Sequence, residues 1–393
     1  MEAHNPAGHA VAVALGCCIQ VFDCRSQHSS EAPMEHAAAV RDLTFDPAGR
    51  MLLSGGDDKC ARAWDAATGS LLHTWEAPKK ISAVAFSGDS RVALFADNTI
   101  TALVVAPGGR RLASADRDGK VRVSVLPRTP LLGVPEIQSF CLGHTAFASC
   151  VAFADCPAGL RMLSGSGDGT VRLWDPESGS LLATLAASAL PAVPAADGAG
   201  AAAADQAAED AAVDEELLEK AAVAAPSGHL WLYPREELPP AVLCIAVAPD
   251  GRTAAIAVEG QPELLVLDVD GAAGTLTLTQ ELELPGLTRP TAAAFDRDGR
   301  LWVVGGVAAE GARAGVLQLR VAVRGSHGGF FAEGAGGLAA AAQAAVEAAY
   351  TGGSEEGAVA HTGAAPLQLN SQLKKRVFSE ELTAVRKRTR AEQ

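Results

Sequence analysis

Apolar and polar residues alternate in short runs along most of this 393-residue chain. Such period-2 runs, bounded by Gly, Pro, Asp and Ser, predict short half-buried strands joined by tight turns. The runs include Ala241 to Val247, Ala254 to Val258, Leu264 to Val269, Leu276 to Leu282, Thr291 to Phe295 and Leu301 to Val304. Pro249-Asp250-Gly251 and Arg297-Asp298-Gly299 separate them as turns. Three segments align without a gap: SGGDDKCARAWD from Ser54, SADRDGKVRVSV from Ser114 and SGSGDGTVRLWD from Ser164. Each reads as strand, tight turn, strand.

The last segment resembles the WD-repeat signature, which implies an all-β fold, a β-propeller of four-stranded blades. In that family a His, a turn Asp, a Ser or Thr and a Trp form a hydrogen-bonded chain inside a blade. Two sets fit here: His36, Ser54, Asp58 and Trp64, and His144, Ser164, Asp168 and Trp174. The trio recurs in repeat register, so it is expected to be structural and not a Ser/His/Asp catalytic group. The turn aspartates are unevenly spaced. Asp58 to Asp118 is 60 residues and Asp118 to Asp168 is 50, against roughly 40–45 for a WD repeat. Sixty is too long for one blade and too short for two. The join at Asp97–Thr99 reads as a blade that lacks its two outer strands.

The expected organisation has four parts. Residues 1–186 carry the N-terminal propeller blades, with 10–24 supplying two strands that help close the ring with the C-terminal strands. Residues 36–76 form one blade, 80–97 begin another, and 139–186 form the best one. Residues 187–228 are an acidic, Ala- and Pro-rich insert expected to be disordered or loosely helical. Residues 229–325 carry about two degenerate blades. Residues 326–393 are a low-complexity Gly/Ala-rich and basic tail, with a helical patch near 338–350. Its clusters Lys374–Arg376 and Arg386–Arg390 suit a nuclear localisation signal, a tRNA contact or a solvated terminus.

Charge narrows the function. The net charge is −14, which disfavours the chain as a primary nucleic-acid binder because phosphate contacts need Lys and Arg. The eight cysteines (17, 18, 24, 60, 141, 150, 156 and 244) form no Cys-x-x-Cys pair, so free thiols are expected and no metal site. The N-terminal apolar run has no preceding basic residue and reads as strands; nothing suggests a membrane span. Val303 to Gly311 lacks the dinucleotide-loop spacing, and no P-loop occurs. The chain is expected to be non-catalytic, with no cofactor of its own.

Within this acidic chain, Arg110 to Arg128 holds six Arg or Lys against two Asp. The middle repeat carries Ser124 where its sisters carry Trp64 and Trp174, and no Gly-His precedes it at the usual distance. Its charges Asp116, Arg117, Asp118, Lys120 and Arg122 are therefore candidates for binding a partner. Arg62 and Arg172 share the register of Arg122, so an Arg there is ordinary in itself.

SADRDGKVRVS (114–124), followed by IQSFCLGHTAFAS (137–149), is similar to one WD-repeat family: the non-catalytic subunit of tRNA (guanine-N7-)-methyltransferase. The resemblance spans roughly residues 36–186. It implies a seven-bladed propeller, here with one truncated blade. It also implies a heterodimer with a separate S-adenosylmethionine-dependent catalytic subunit that methylates N7 of a guanosine in the tRNA variable loop. The tRNA would be met mainly through that partner. By the resemblance Asp118, Lys120 and Arg122 lie at the interface, with Asp116 and Arg117 beside them. A general WD adaptor, such as a ubiquitin-ligase substrate receptor, is the alternative. Its Trp-Asp-x-Arg signature is absent: the tetrads here are Trp64-Asp65-Ala66-Ala67 and Trp174-Asp175-Pro176-Glu177.

Overall fold

The computed structural model describes residues 2–4, 10–23, 28–29, 34–97, 99–127, 133–187, 239–287, 289–307, 316–325 and 328–332. Every regular element among them is a β-strand, and the strands form seven separate sheets. Sheet one holds β1 (Glu2–His4), β2 (Ala10–Leu15), β3 (Cys18–Asp23) and β4 (His28–Ser29), with β5 (Met34–Glu35) also on β3. Sheet two runs β6 (Val40–Phe45), β7 (Met51–Gly56), β8 (Cys60–Asp65), β9 (Leu71–Glu76). Sheet three has only β10 (Ile81–Phe86) and β11 (Ala93–Asp97). Sheet four runs β12 (Ile100–Val105), β13 (Arg111–Asp116), β14 (Val121–Val125), β15 (Ile137–Cys141). Sheet five runs β16 (Ala148–Cys156), β17 (Gly159–Ser166), β18 (Thr170–Trp174), β19 (Leu181–Ala186). Sheet six runs β20 (Val242–Val247), β21 (Thr253–Val258), β22 (Leu264–Asp270), β23 (Thr275–Leu282). Sheet seven runs β24 (Arg289–Phe295), β25 (Leu301–Val307), β26 (Val316–Arg324), β27 (Phe330–Ala332).

The first strand of each sheet lies beside the first strand of the next, and β1 lies beside both β6 and β24. The expected all-β WD-repeat propeller is therefore the architecture found. Six blades carry four or more strands, and a two-stranded half-blade stands between sheets two and four. A seventh full blade is not present among the described residues. The join read at Asp97–Thr99 is where β11 gives way directly to β12. An even number of strands is lacking there. Because neighbours in a blade run antiparallel, β12 still enters its blade in the same direction as the other inner strands.

The core lies between sheets. Ala113, Ala115, Val121, Val123 and Cys141 of sheet four, all fully buried, pack on Val151, Phe153, Met162 and Trp174 of sheet five. The half-blade is shared between its neighbours. Its Ile81, Val84, Phe86 and Ala93 meet Leu53, Ala61 and Trp75 of sheet two. Its Ala83, Ala85 and Leu94 meet Leu103, Leu112 and Leu126 of sheet four.

The inner strands share a second device. In sheets two to seven the register of the first pair slips near the start of the inner strand, as at Val40/Asp42, Ile81/Ala83, Ile100/Ala102, Ala148/Cys150, Val242/Cys244 and Pro290/Ala292. A bulge re-aims a side chain, and here it turns a polar group toward the next sheet. Asp42 accepts from Val84 N (2.8 Å), and the hydroxyls of Ser82, Thr101 and Ser149 donate to Ile100 O, Ala148 O and Val242 O. The Cys244 thiol does the same to Ala293 O. Five consecutive joints are thus clasped.

The structure moves several boundaries. Ile137–Cys141, expected at the head of the blade 139–186, pairs with β14 and is the outer strand of sheet four. The N-terminal strands do not share a sheet with C-terminal ones; they form their own sheet, and β1 closes the ring by packing. The last sheet runs to Ala332, past the boundary expected at 325, because the short β27 forms in Gly-rich sequence that shows no strand pattern, while β26 ends inside that boundary. Residues 188–228 of the insert, the helical patch and the basic tail lie outside the described residues.

Candidate partner-docking surface on the fourth sheet

Sheets two and five show what a self-contained blade requires. In each, the buried Ser accepts from the indole N–H of Trp at 2.8 Å and donates to His Nε2 at 2.7 Å: Ser54 between Trp64 and His36, Ser164 between Trp174 and His144. The His then gives its Nδ1–H to the turn carboxylate, Asp58 or Asp168, at 3.0 Å. The tautomer follows from the donors and acceptors, since Ser has one proton and the carboxylate none. Burial holds the His36 pKa below its ordinary value. Burial raises Asp58, but the bonds from His36 and Arg62 outweigh it and hold its pKa at about 2. Asp168 is held below its usual range in the same way, against burial, by His144 and Thr170. Both sets read from the sequence are thus assembled as expected.

Sheet four lacks the His and the Trp, and it solves its turn differently. Asp116, 5 % exposed, lies two residues before the position of Asp58 and Asp168. Its Oδ1 accepts from the N–H groups of Asp118 (2.8 Å) and Lys120 (3.0 Å), and its Oδ2 accepts from Arg122 Nη2 (2.8 Å). Gly119 completes the turn at φ +71, where a Cβ would also strike the carbonyls of His144 and Ala146 in the adjoining loop. Asp116 therefore serves its blade and is not a charge set aside for a partner. The charges that face outward are Asp118 and Lys120, whose ends lie 3.9 Å apart at an exposed turn. Arg117 is half-buried; its N–H donates to Thr99 O (3.2 Å), and burial together with nearby Arg41 lowers its pKa.

Arg122 keeps the register of its sisters: Ser54 faces Arg62, Ser114 faces Arg122 and Ser164 faces Arg172. Its setting differs. The Arg62 side chain is 16 % exposed and that of Arg122 is 33 %. In sheet five the link that leads in from the outer strand of sheet four covers the arginine: a Cβ on Gly143 would collide with the Arg172 guanidinium. Sheet three has no outer strands to cover Arg122 in this way.

The structure adds a residue that the sequence reading passed over. On the outer strand, the position opposite the arginine is Thr74 in sheet two and Thr184 in sheet five, but Phe140 in sheet four. Phe140 is 47 % exposed, and Leu142 beside it is exposed too. Repeat register down to the outer strand would have found it, but β15 was read with the following blade. The surface is thus an aromatic and an aliphatic side chain beside Arg122, Lys120 and Asp118. Among the described residues no group of His, Cys, Asp and Glu is placed to hold a metal ion.

Comparison with known proteins bears on the fold and on the family that the chain resembles. Residues 99–289 match the family described as the WD40 domain of tRNA methyltransferase TRM82, and residues 27–65 match the WD domain, G-beta repeat. The first match begins at the residue that follows the join. A Danio rerio protein named tRNA (guanine-N(7)-)-methyltransferase non-catalytic subunit wdr4 is 32 % identical over 205 residues, 51 % of this chain and 38 % of that protein. Its Homo sapiens namesake is 45 % identical over 82 residues, 20 % of this chain and 18 % of that one. A Dictyostelium discoideum protein of the same name is 24 % identical over 227 residues, 46 % of this chain and 47 % of that one. The chain thus spans less than half the length of these relatives. Among solved structures it is similar to U3-55K (TM-score 0.54, 19 % identity, 76 % of this chain and 85 % of that one) and to the RRP9 WD40 repeats (0.53, 18 %, 76 % and 84 %), which shows the fold alone. The chain is a WD-repeat propeller, and its segment 99–289 matches the family described as the tRNA methyltransferase TRM82 WD40 domain.

Proposed function

We propose that this chain is the non-catalytic scaffold subunit of a tRNA (guanine-N7-)-methyltransferase. It binds and stabilises an S-adenosylmethionine-dependent catalytic subunit as a heterodimer, and that subunit forms N7-methylguanosine in the tRNA variable loop. tRNA is engaged mainly through the catalytic subunit, as suits a chain of net charge −14. The observation that carries the reading is the hairpin 114–124. It lies inside the TRM82-type segment, and it presents Lys120, Asp118 and part of Arg122 outward while Asp116 fixes the turn from within. Charges at such a rim set orientation and association rate more than raw affinity.

The test is affinity purification of the chain with identification of its partners, followed by a methylation assay of each subunit and of the pair. A stoichiometric methyltransferase partner and activity only in the pair are expected. Recovery without any methyltransferase, or methylation by this chain alone, overturns the reading. Arg122→Glu would place two carboxylates side by side with Asp116. Lys120→Glu and Arg122→Gln are therefore the cleaner interface variants, and they should slow association at low salt while the propeller stays folded. We also propose nuclear residence, directed by Lys374–Arg376 and Arg386–Arg390. A fluorescent fusion with both clusters changed to Ala should lose nuclear enrichment.

A further inference from the structure

The half-blade leaves a recess in the ring. Sheets two and four each extend two strands beyond β11, about 10 Å at the usual strand spacing. Among the described residues β11 pairs only with β10, so its other edge presents backbone N–H and C=O groups at the floor of the recess. One wall is the outer part of sheet two, where Trp75 stacks edge-on with His73 (4.5 Å between ring centres) and reaches Phe95 of β11 (6.5 Å). The other wall is the face of sheet four that carries Ser114, Ser124, Arg122 and Phe140. Phe95 is 38 % exposed, and Lys79 pairs with Asp97 at the end of β11 (2.7 Å).

A recess with a bare strand edge as its floor and aromatic side walls fits an extended polypeptide. Main-chain bonds to the edge supply affinity, and alternate side chains reach the two walls. We infer that this recess is completed in trans by an extended strand or hairpin of the catalytic subunit, which adds to the edge of β11 as the missing outer part of the third blade. The occupant is apolar at alternate positions, to meet Trp75 and Phe95 on one side and Phe140 on the other. It carries a carboxylate toward Arg122, within the basic run 110–128 of an acidic chain. A second copy of this chain does not fit: each β11 edge is sunk between neighbouring blades, so two such edges cannot approach to strand spacing. The inference rests on the proposed partnership and adds the mode of docking.

Hydrogen exchange of the β11 amides, residues 93–97, tests it in the full-length chain alone and in the co-purified complex. The chain alone should exchange these amides on its unpaired edge quickly at every concentration, and the complex should slow them at least 100-fold. Phe140→Thr installs the residue of the two sister blades. It should leave the melting temperature of the chain unchanged, weaken the complex at least 10-fold and restore fast exchange. A complex that forms while the β11 amides remain fast overturns the docking mode and leaves the partnership intact. If no complex forms with the unaltered chain, the partnership itself fails and this occupant with it. Protection already present in the chain alone overturns the inference too: concentration-dependent protection points to a second copy, concentration-independent protection to a segment of the same chain.

Discussion

Sheets four and five stand side by side, share a packed interface and descend from the same repeat, yet they hold their central turn in opposite ways. Sheet five spends four side chains on it: His144, Ser164, Asp168 and Trp174 close every donor and acceptor inside the blade. Sheet four spends two, Asp116 and Arg122, keeps Ser114 at the Ser position and has Ser124 in place of the Trp. The economical solution leaves the outer half of the sheet uncommitted. Lys120, Asp118 and Phe140 are exposed. A repeat can therefore turn into a docking site without losing its fold, provided one buried carboxylate replaces the chain it gives up.

The largest expected losses lie in the internal chain of sheet five. Trp174 is 1 % exposed and bonds Ser164, so Trp174→Ala should cost about 3–5 kcal/mol, read as a fall in urea midpoint at unchanged slope. Ser164→Ala keeps the volume but strands the indole N–H and His144 Nε2, at about 1–3 kcal/mol for each buried group left unpaired. A cost near zero for either would mean the internal chain is ornamental. In sheet four, Asp116→Ala should cost about 2–3 kcal/mol, since two backbone donors and Arg122 lose their acceptor. Asp118→Ala should stay within about 0.5 kcal/mol, although Asp118 holds the place of Asp58 and Asp168. If thermal denaturation ranks the two the other way, the turn carboxylate has not moved.

A pH-dependent effect concerns the joints between blades. Asp42 is half-buried by exposed area but hemmed in by two inner strands, and that burial raises its pKa to about 7 despite the bonds from Val84 N and Leu43 N. The folded chain then binds a proton that the unfolded chain has released, so this group stabilises the fold below pH about 4 and loses that contribution as pH rises toward 7. The depressed His36 pKa runs the other way, costing stability as pH falls below its ordinary value. Asp42→Asn should therefore gain on the unaltered chain as the buffer moves from pH 5 to pH 8, by an amount trimmed by the water that reaches the site. A difference that is flat with pH would show that Asp42 stays ionised throughout.

Much of this was legible beforehand because it depends on residue type at fixed spacing. His36 with Asp58, Trp174 with Ser164 and the strands from 242 to 307 follow from period-2 alternation and from polar groups that a buried blade must satisfy. The missing strand pair was legible as a spacing that no whole number of blades could fill. What escaped depends on contacts between strands far apart in the chain. Asp116 looked like one of several charges, because nothing local shows that its carboxylate is turned inward onto Asp118 N and Lys120 N. Phe140 escapes a reading by WD motif, which starts one strand before the sheet does and assigns β15 to the following blade; only its pairing with β14 places it opposite Arg122. The inner-strand clasps also escaped, since Ser82, Thr101 and Ser149 pass for ordinary strand residues until the bulge points each at the next sheet.

The turn from β11 to β12 is, finally, a place where the length of the chain is adjustable. A hairpin inserted between Asp97 and Thr99 would return the chain to the same point with the same heading, so a whole pair of strands can be grafted there without disturbing the rest of the ring. A single strand could not. Variation at this joint is quantised in pairs, and an engineer wishing to seal the recess with a covalent hairpin, or to hang a new binding loop from the rim, has a position here at which the ring geometry is kept.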